Sequence, residues 1–78
     1  MPRYFFDLFD EHHTIDEEGR TLANDAAAEA TALHCARHLA SASVLEGLLD
    51  RSHYIACRNA TGEKLFAVTF GDAVRVPN

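Results

Sequence analysis

The most regular hydrophobic pattern in the chain runs from Asn24 to Leu49, where apolar residues recur at helical spacing. At about 100° per residue, small apolar residues gather on one side of this helix and polar residues on the other. The apolar side holds Ala28, Ala32, Cys35, Ala36 and Leu39, and the polar side holds Thr31, His34, Arg37, His38 and Ser41. Asn24 is a good N-cap, because its side-chain oxygen can accept a hydrogen bond from a first-turn amide. The pattern predicts one long helix whose small-residue side faces the core.

The far end of this helix is less regular than its middle. Ser41 and Ser43 weaken the helix, and Ser43 followed by Glu46 fits a capping box. We therefore expect the helix to kink or to restart here as a short second helical turn. The large apolar residues around that turn are expected to close the bottom of the core, and they are Val44, Leu45, Leu48 and Leu49.

Strands are predicted where apolar residues alternate with their neighbours. Residues 3–9 form the first strand, and its inward set must be the one without Asp7. A short return strand follows at residues 14–16, and residues 53–58 and 65–70 form a hairpin after the helix. The inward sets are Tyr4, Phe6 and Leu8 in the first strand, Ile55 and Cys57 in the third, and Phe66, Val68 and Phe70 in the fourth.

This order of elements, β-β-α-β-β, predicts an α+β fold in two layers. An antiparallel sheet of three to four strands carries the long helix and the short helical turn on one face, and a simple up-and-down path gives the strand order 2-1-3-4. A chain of 78 residues has the size of one small domain, which we take to span residues 1–78. The tail from Ala73 to Asn78 is expected to be extended or frayed.

The sheet face that the helix does not cover is expected to be unusually apolar. Alternation places four large side chains on it, namely Phe5, Phe9, Tyr54 and Leu65. Such a patch usually contacts a partner, and a two-fold homodimer is the commonest assembly. The sequence therefore favours a non-enzymatic binding or assembly module that pairs as a homodimer or with another protein. In the alternative, the tail or the long side chain of Arg58 covers the rings within one chain.

Composition and charge narrow the class of partner. The apolar content of 47% and the charged content of 24% are ordinary for a globular protein. The net charge of −5 disfavours nucleic acid, because neutralisation of phosphates dominates that affinity. No apolar run approaches the roughly 20 residues of a membrane span, and the N-terminus lacks the apolar region of a signal peptide. We therefore expect no membrane partner and a cytoplasmic location.

Two pairs of side chains are the candidates for chemistry. Cys35 and Cys57 are expected to lie close together as small buried hydrophobes, with a disulfide or redox pair as the alternative. His34 and His38 lie one helical turn apart, a spacing at which two imidazoles can share a metal ion, although a catalytic zinc normally has three protein ligands. The alternative function is therefore a weak metal-binding or metal-responsive protein. The sequence contains no strained Gly-x-Ser-x-Gly turn for a nucleophile, so no enzymatic activity and no cofactor are expected.

Four short motifs resemble a family of short bacterial proteins known as domain of unknown function 6894. They are the opening Pro2-Arg3-Tyr4-Phe5-Phe6, the turn Asp16-Glu17-Glu18-Gly19, the alanine-rich helix with Ala36-Arg37 and Leu39, and the closing Phe70-Gly71-Asp72-Ala73-Val74. This chain has Asp7 and Phe9 where the family commonly has His and Arg. The resemblance implies the same α+β fold and a cytoplasmic bacterial setting. It implies no activity, because none is known for the family.

Overall fold

One long helix covers one face of a five-stranded antiparallel sheet in the computed structural model, which describes residues 1–74. The strands are β1 (Arg3–Phe9), β2 (His13–Thr14), β3 (Arg20–Thr21), β4 (Tyr54–Asn59) and β5 (Lys64–Thr69). The helices are α1 (Asp25–Leu45) and α2 (Phe70–Ala73). The strands are ordered β2-β1-β4-β5, and β3 pairs with the other end of β1. The α+β class and the predicted path of the four main strands are confirmed.

The strand prediction fails mainly at the edge of β1. The bounds of β1 are confirmed, and the hairpin strands each differ from the prediction by one residue at each end. β2 ends at Thr14 because the Asp16 amide donates to the Asp7 carboxylate, at 2.9 Å, and so is not part of a strand ladder. β3 has two exposed residues and no apolar alternation to indicate it, which is why the sequence analysis missed this strand.

α1 begins as predicted, with the Asn24 side chain accepting a hydrogen bond from the Ala27 amide at 2.9 Å. Its buried residues are alanines spaced four apart, namely Ala28, Ala32, Ala36 and Ala40. Because alanine is small, this row lets the helix axis come close to the sheet. The histidines of the predicted polar side, His34 and His38, are exposed.

The predicted restart of the helix near Ser43 is wrong. The Ser43 hydroxyl donates to the Leu39 carbonyl at 3.0 Å, which satisfies this polar group within a continuous helix. α1 instead ends before Gly47, whose φ of +93° is the left-handed conformation common after a helix C-terminus. The second helix lies elsewhere, at residues 70–73, where Thr69 accepts a hydrogen bond from the Asp72 amide at 3.0 Å.

The prediction that the large apolar residues at and just after the end of α1 close the core is wrong for three of the four residues. Val44, Leu45 and Leu48 are 57%, 86% and 66% exposed, and only Leu49 packs against the core. A helix of 21 residues is about 31 Å long at 1.5 Å per residue, whereas a six-residue strand spans about 20 Å. The last turn of α1 therefore extends past the sheet that would bury it.

The core has two parts under the helix. The larger part contains Ile55 and Phe70 against the alanines of α1, and the smaller part contains Tyr4, Ala28 and Cys57. Phe70, predicted to end a strand, is instead the first residue of α2 and is 2% exposed. Residues 75–78 of the predicted tail lie outside the described residues.

The close approach of α1 to the sheet predicts a specific sensitivity to side-chain size. Ala36→Leu should lower the free energy of unfolding by about 1 to 3 kcal/mol, because added methylenes strain a packed core. The same change at exposed Ala30 of α1 should alter it by no more than about 0.5 kcal/mol. Urea denaturation of both variants measures the difference, and equal stabilities would contradict the packing described here.

Candidate functional site

The centre of the uncovered sheet face is a buried ion pair between Asp7 of β1 and Arg58 of β4. Asp7 is only 5% exposed, and the Nε atom of Arg58 donates to its Oδ2 atom at 2.8 Å. The Arg58 guanidinium also lies over the ring of Phe5, with 4.6 Å between the Cζ atom and the ring centroid. Arg58 therefore covers the Phe5 ring within one chain, as expected in the alternative to a dimer.

The turn at residues 16–19, called here the Asp16 turn, is fastened to this ion pair. The Asp16 amide donates to Asp7 Oδ1 at 2.9 Å, and Arg58 Nη2 donates to the Asp16 carbonyl at 2.8 Å. The Asp16 carboxylate in turn accepts from the amides of Phe6, Glu18 and Gly19, each at 3.1 Å. Since Phe6 lies between the segments of β1 that pair with β2 and β3, this carboxylate takes the place of a strand partner in the gap.

Glycine is required at the end of the Asp16 turn. Gly19 has a φ of +71°, and a Cβ atom there would lie 2.8 Å from the Tyr4 carbonyl oxygen and 2.9 Å from a ring carbon of Phe5. Any other residue would therefore be strained in its backbone and would also clash. Backbone geometry thus accounts for the glycine of the Asp-Glu-Glu-Gly motif.

A cluster of three rings, called here the aromatic cluster, lies at the end of the same face. Phe9 and Tyr54 are directly paired across β1 and β4, and their rings stack with centroids 4.7 Å apart and planes 8° apart. The His13 ring lies 4.1 Å from that of Phe9. Phe9 and Tyr54 are half-buried, and Lys64 Nζ is 5.6 Å from the centre of the Tyr54 ring.

Of the four predicted interface residues, only Phe9 and Tyr54 are brought together on the outer face, and both are half-buried. Leu65 packs instead against the part of the core formed by Tyr4, Ala28 and Cys57. The reason is a β-bulge, since Cys57 pairs with Phe66 while the next residue, Arg58, pairs with Lys64. The extra residue reverses the alternation that placed Leu65 on the outer face.

The candidate residues for chemistry are less favourably placed. Within residues 1–74, no three or more His, Cys, Asp and Glu side chains are arranged to hold a metal ion, so His34 and His38 would need a ligand from another molecule. The weak metal site at His34 and His38 therefore stays a prediction. Cys35 and Cys57 are both free thiols. Burial, with the nearby charges of Asp25 and Asp7, raises the pKa of Cys57 to about 11, so this thiol is protonated at neutral pH.

The phenol of Tyr4 is also engaged in structure. Its hydroxyl donates to Asp25 Oδ1 at 2.6 Å, which connects β1 to the first turn of α1. This hydrogen bond, together with burial and the Asp25 charge, raises the pKa of Tyr4 to about 12. The hydroxyl therefore keeps its proton across the physiological range and acts as a donor to the helix.

Sequence reasoning missed a cavity of about 270 Å³ on the helix side of the sheet, called here the terminal groove. It lies among the turn after β1, the last turns of α1 and the segment before β4. Its lining residues are Leu8, Asp10, Glu11, His12, Leu39, Ala42, Ser43, Glu46, Leu48, Asp50, His53 and Phe70. These come from several separate segments, so no local motif in the sequence indicates the groove.

The hydrogen bonds of Asp16 predict an acid-sensitive contribution to stability. Partial burial opposes ionisation, but the amides of Gly19, Phe6 and Glu18 and the Arg58 charge outweigh it and lower the Asp16 pKa below 3.8. Because the folded pKa is the lower one, this stabilisation is present above about pH 4 and is lost as the pH falls through the folded pKa. Asp16→Asn should therefore destabilise the protein by about 1 to 3 kcal/mol at pH 7 and flatten its decline in stability below pH 4.

Urea denaturation between pH 2 and pH 7, values chosen to bracket a carboxyl pKa of about 4, measures both effects. Glu17→Gln is the matched control, since it removes one carboxylate from an exposed position in the same turn. A decline below pH 4 that is equally steep in Asp16→Asn and in the wild type would contradict the prediction.

Comparison with known proteins assigns this chain to a family but gives it no activity. No curated protein and no solved structure matches this chain. Among residues 1–74, neither helix is long and apolar enough to cross a membrane. A sequence model for the family described as "Domain of unknown function (DUF6894)" matches residues 3–71, which run from the start of β1 into α2. Because this match covers most of the chain, the protein belongs to the DUF6894 family.

Proposed function

We propose that this domain is a non-enzymatic assembly module that pairs with a second copy of itself through the outer face of its sheet. The observation that carries the proposal is the stack of Phe9 on Tyr54, with His13 beside it, at the surface of that face. Aromatic rings bury about 150 to 250 Å² each and dominate interface energies. A cluster of stacked rings is therefore a suitable centre for a contact between two copies.

The charge distribution favours this face for self-association. Two copies that each carry a net charge of −5 repel one another wherever carboxylates dominate the contact. On the outer face, the Asp7 carboxylate is paired with Arg58, and Lys64 adds a positive charge beside Tyr54. Two acidic copies can therefore meet there with little electrostatic cost.

The geometry of the face favours a two-fold arrangement. In such a dimer the same patch is used by both copies, so a ring cluster close to the axis packs against its own counterpart. The Arg58 and Asp16 contacts keep the centre of the face polar, and confine the apolar contact to the end that carries the aromatic cluster. The expected interface is therefore small, and the dimer should exchange with monomer at micromolar concentrations.

The non-enzymatic part of the proposal is supported by the state of the buried polar groups. The Asp7 carboxylate is occupied by Arg58 and the Asp16 amide, and the Cys57 thiol is held protonated by its surroundings. A general base or nucleophile needs a group that can exchange its proton near neutral pH. The Cys57 thiol does not meet that requirement.

Phe9→Lys should abolish dimerisation, because a second copy would then bury a charge at the centre of the contact. Sedimentation equilibrium over a range of concentrations should show a reversible dimer for the wild type and a monomer for the variant. Phe9 is a better choice than Phe5, since Phe5 packs under Arg58 and against Gly19 and its loss would disturb the fold.

Ser41→Lys provides the matched control, because it adds the same charge on the exposed side of α1. This variant should dimerise like the wild type, and thermal melts of all three proteins establish that each is folded. A wild-type protein that stays monomeric at every concentration would end the proposal. Equal loss of dimer in the two lysine variants would place the contact somewhere other than the aromatic cluster.

A further inference from the structure

The last turn of α1 and the three residues after it, called here the exposed end of α1, carry the most exposed apolar side chains that the structure describes beyond the first residue. Leu45 is 86% exposed, Leu48 is 66% exposed and Val44 is 57% exposed, and all three fall within five consecutive positions of the chain. Single exposed apolar residues are ordinary, but neighbouring ones often mark a contact surface. Leu48 also lines the terminal groove, so the exposed apolar residues continue into a cavity.

The terminal groove combines an apolar floor with an acidic rim. Leu8, Leu39 and Phe70 supply apolar lining, and four carboxylates come from Asp10, Glu11, Glu46 and Asp50. The lining contains no Lys or Arg. The groove is therefore an apolar cleft bordered by negative charge.

Two of these carboxylates are held by their own turns and two are not. The Asp50 carboxylate accepts hydrogen bonds from the Ser52 amide and hydroxyl, at 2.9 and 2.5 Å. Its Oδ2 atom also lies 3.3 Å from Nε2 of His53. The Asp10 carboxylate accepts a hydrogen bond from the His12 amide at 2.7 Å. Within residues 1–74, neither Glu11 nor Glu46 forms a side-chain ion pair. Their charges are available to a ligand at the mouth of the groove.

We propose that the terminal groove and the exposed end of α1 together bind a basic amphipathic segment of another protein. The apolar side chains of that segment pack on Leu45 and Leu48, and one of its Lys or Arg side chains enters the cavity. The apolar stem of such a side chain suits the half-buried Leu8 and Leu39 of the lining, and its charged end suits the carboxylates. This surface is separate from the aromatic cluster, so the inference extends beyond self-association.

Charge complementarity selects this occupant over a second copy of the chain. A second copy brings a surplus of carboxylates, twelve against seven Lys and Arg, to a rim that is already acidic. A cavity of about 270 Å³ lies near the lower end of the roughly 300 to 1,000 Å³ of ligand pockets, and this size has room for one side chain. A peptide with a Lys or Arg side chain matches both the acidic rim and the size of the cavity.

The test uses a labelled amphipathic peptide of leucine and lysine, with a peptide of leucine and glutamate in the same apolar pattern as its counterpart. Fluorescence anisotropy should show saturable binding of the lysine peptide, at one peptide per chain, and none of the glutamate peptide. Leu48→Ser should weaken binding by about tenfold or more, since it removes a side chain that the complex would bury. Glu11→Gln combined with Glu46→Gln should weaken it by about fivefold.

Glu29→Gln combined with Asp72→Asn is the matched control. It removes two carboxylates as well, but from a second groove between α1 and β5. The four substituted residues of the two double variants are all exposed, so both variants should keep the wild-type thermal stability. If the two double variants weaken binding equally, the peptide is attracted by the net negative charge of the protein and not by the terminal groove. That result would overturn the proposal. Binding of the glutamate peptide as tight as that of the lysine peptide would overturn it too.

Discussion

The pairing of Asp7 with Arg58 is the interaction on which the outer half of this domain depends. A carboxylate that is 5% exposed must be paired, because an isolated buried charge costs several kcal/mol. Arg58 supplies the partner from β4, and the same guanidinium reaches the Asp16 carbonyl and lies over Phe5. One side chain thereby joins β1, β4 and the turn that crosses the edge of the sheet.

The edge of β1 shows how this pairing shapes the fold. β2 and β3 pair with opposite ends of β1 and leave a gap between them, where the Asp16 carboxylate accepts the Phe6 amide. Without that acceptor, a backbone donor at the edge would have to find another partner. The Asp16 turn is held in this place by Asp7 and by the steric requirement for Gly19. Two of the family-like motifs, the opening strand and the Asp-Glu-Glu-Gly turn, are thus in contact at the edge of β1.

The two proposed surfaces differ in charge, and that difference separates their partners. The outer sheet face has its carboxylate paired and a lysine beside its rings, so it suits a second acidic copy. The end of α1 combines exposed leucines with carboxylates, so it suits a basic segment. A small domain with both surfaces would join copies of itself to another protein, as proposed above for an assembly module.

The sequence by itself determined β1, α1 and the β4–β5 hairpin, because each depends on a periodic pattern within its own residues. It also determined which side of α1 faces the sheet and that Phe9 and Tyr54 lie on the outer face. The tertiary structure alone decided the burial of Asp7, which requires Arg58, a residue 51 positions away. It also decided the inward turn of Leu65, which results from a bulge in the pairing of two strands.

The exposure of Val44, Leu45 and Leu48 and the existence of the terminal groove were likewise decided only by the tertiary structure. Periodicity indicates that a residue is apolar and on which side of its helix it lies, but not whether the sheet beneath extends far enough to cover it. α1 is longer than the strands it covers, so side chains with the composition of a core remain at the surface. The terminal groove could not be read from the sequence, since its lining comes from segments that only the fold brings together.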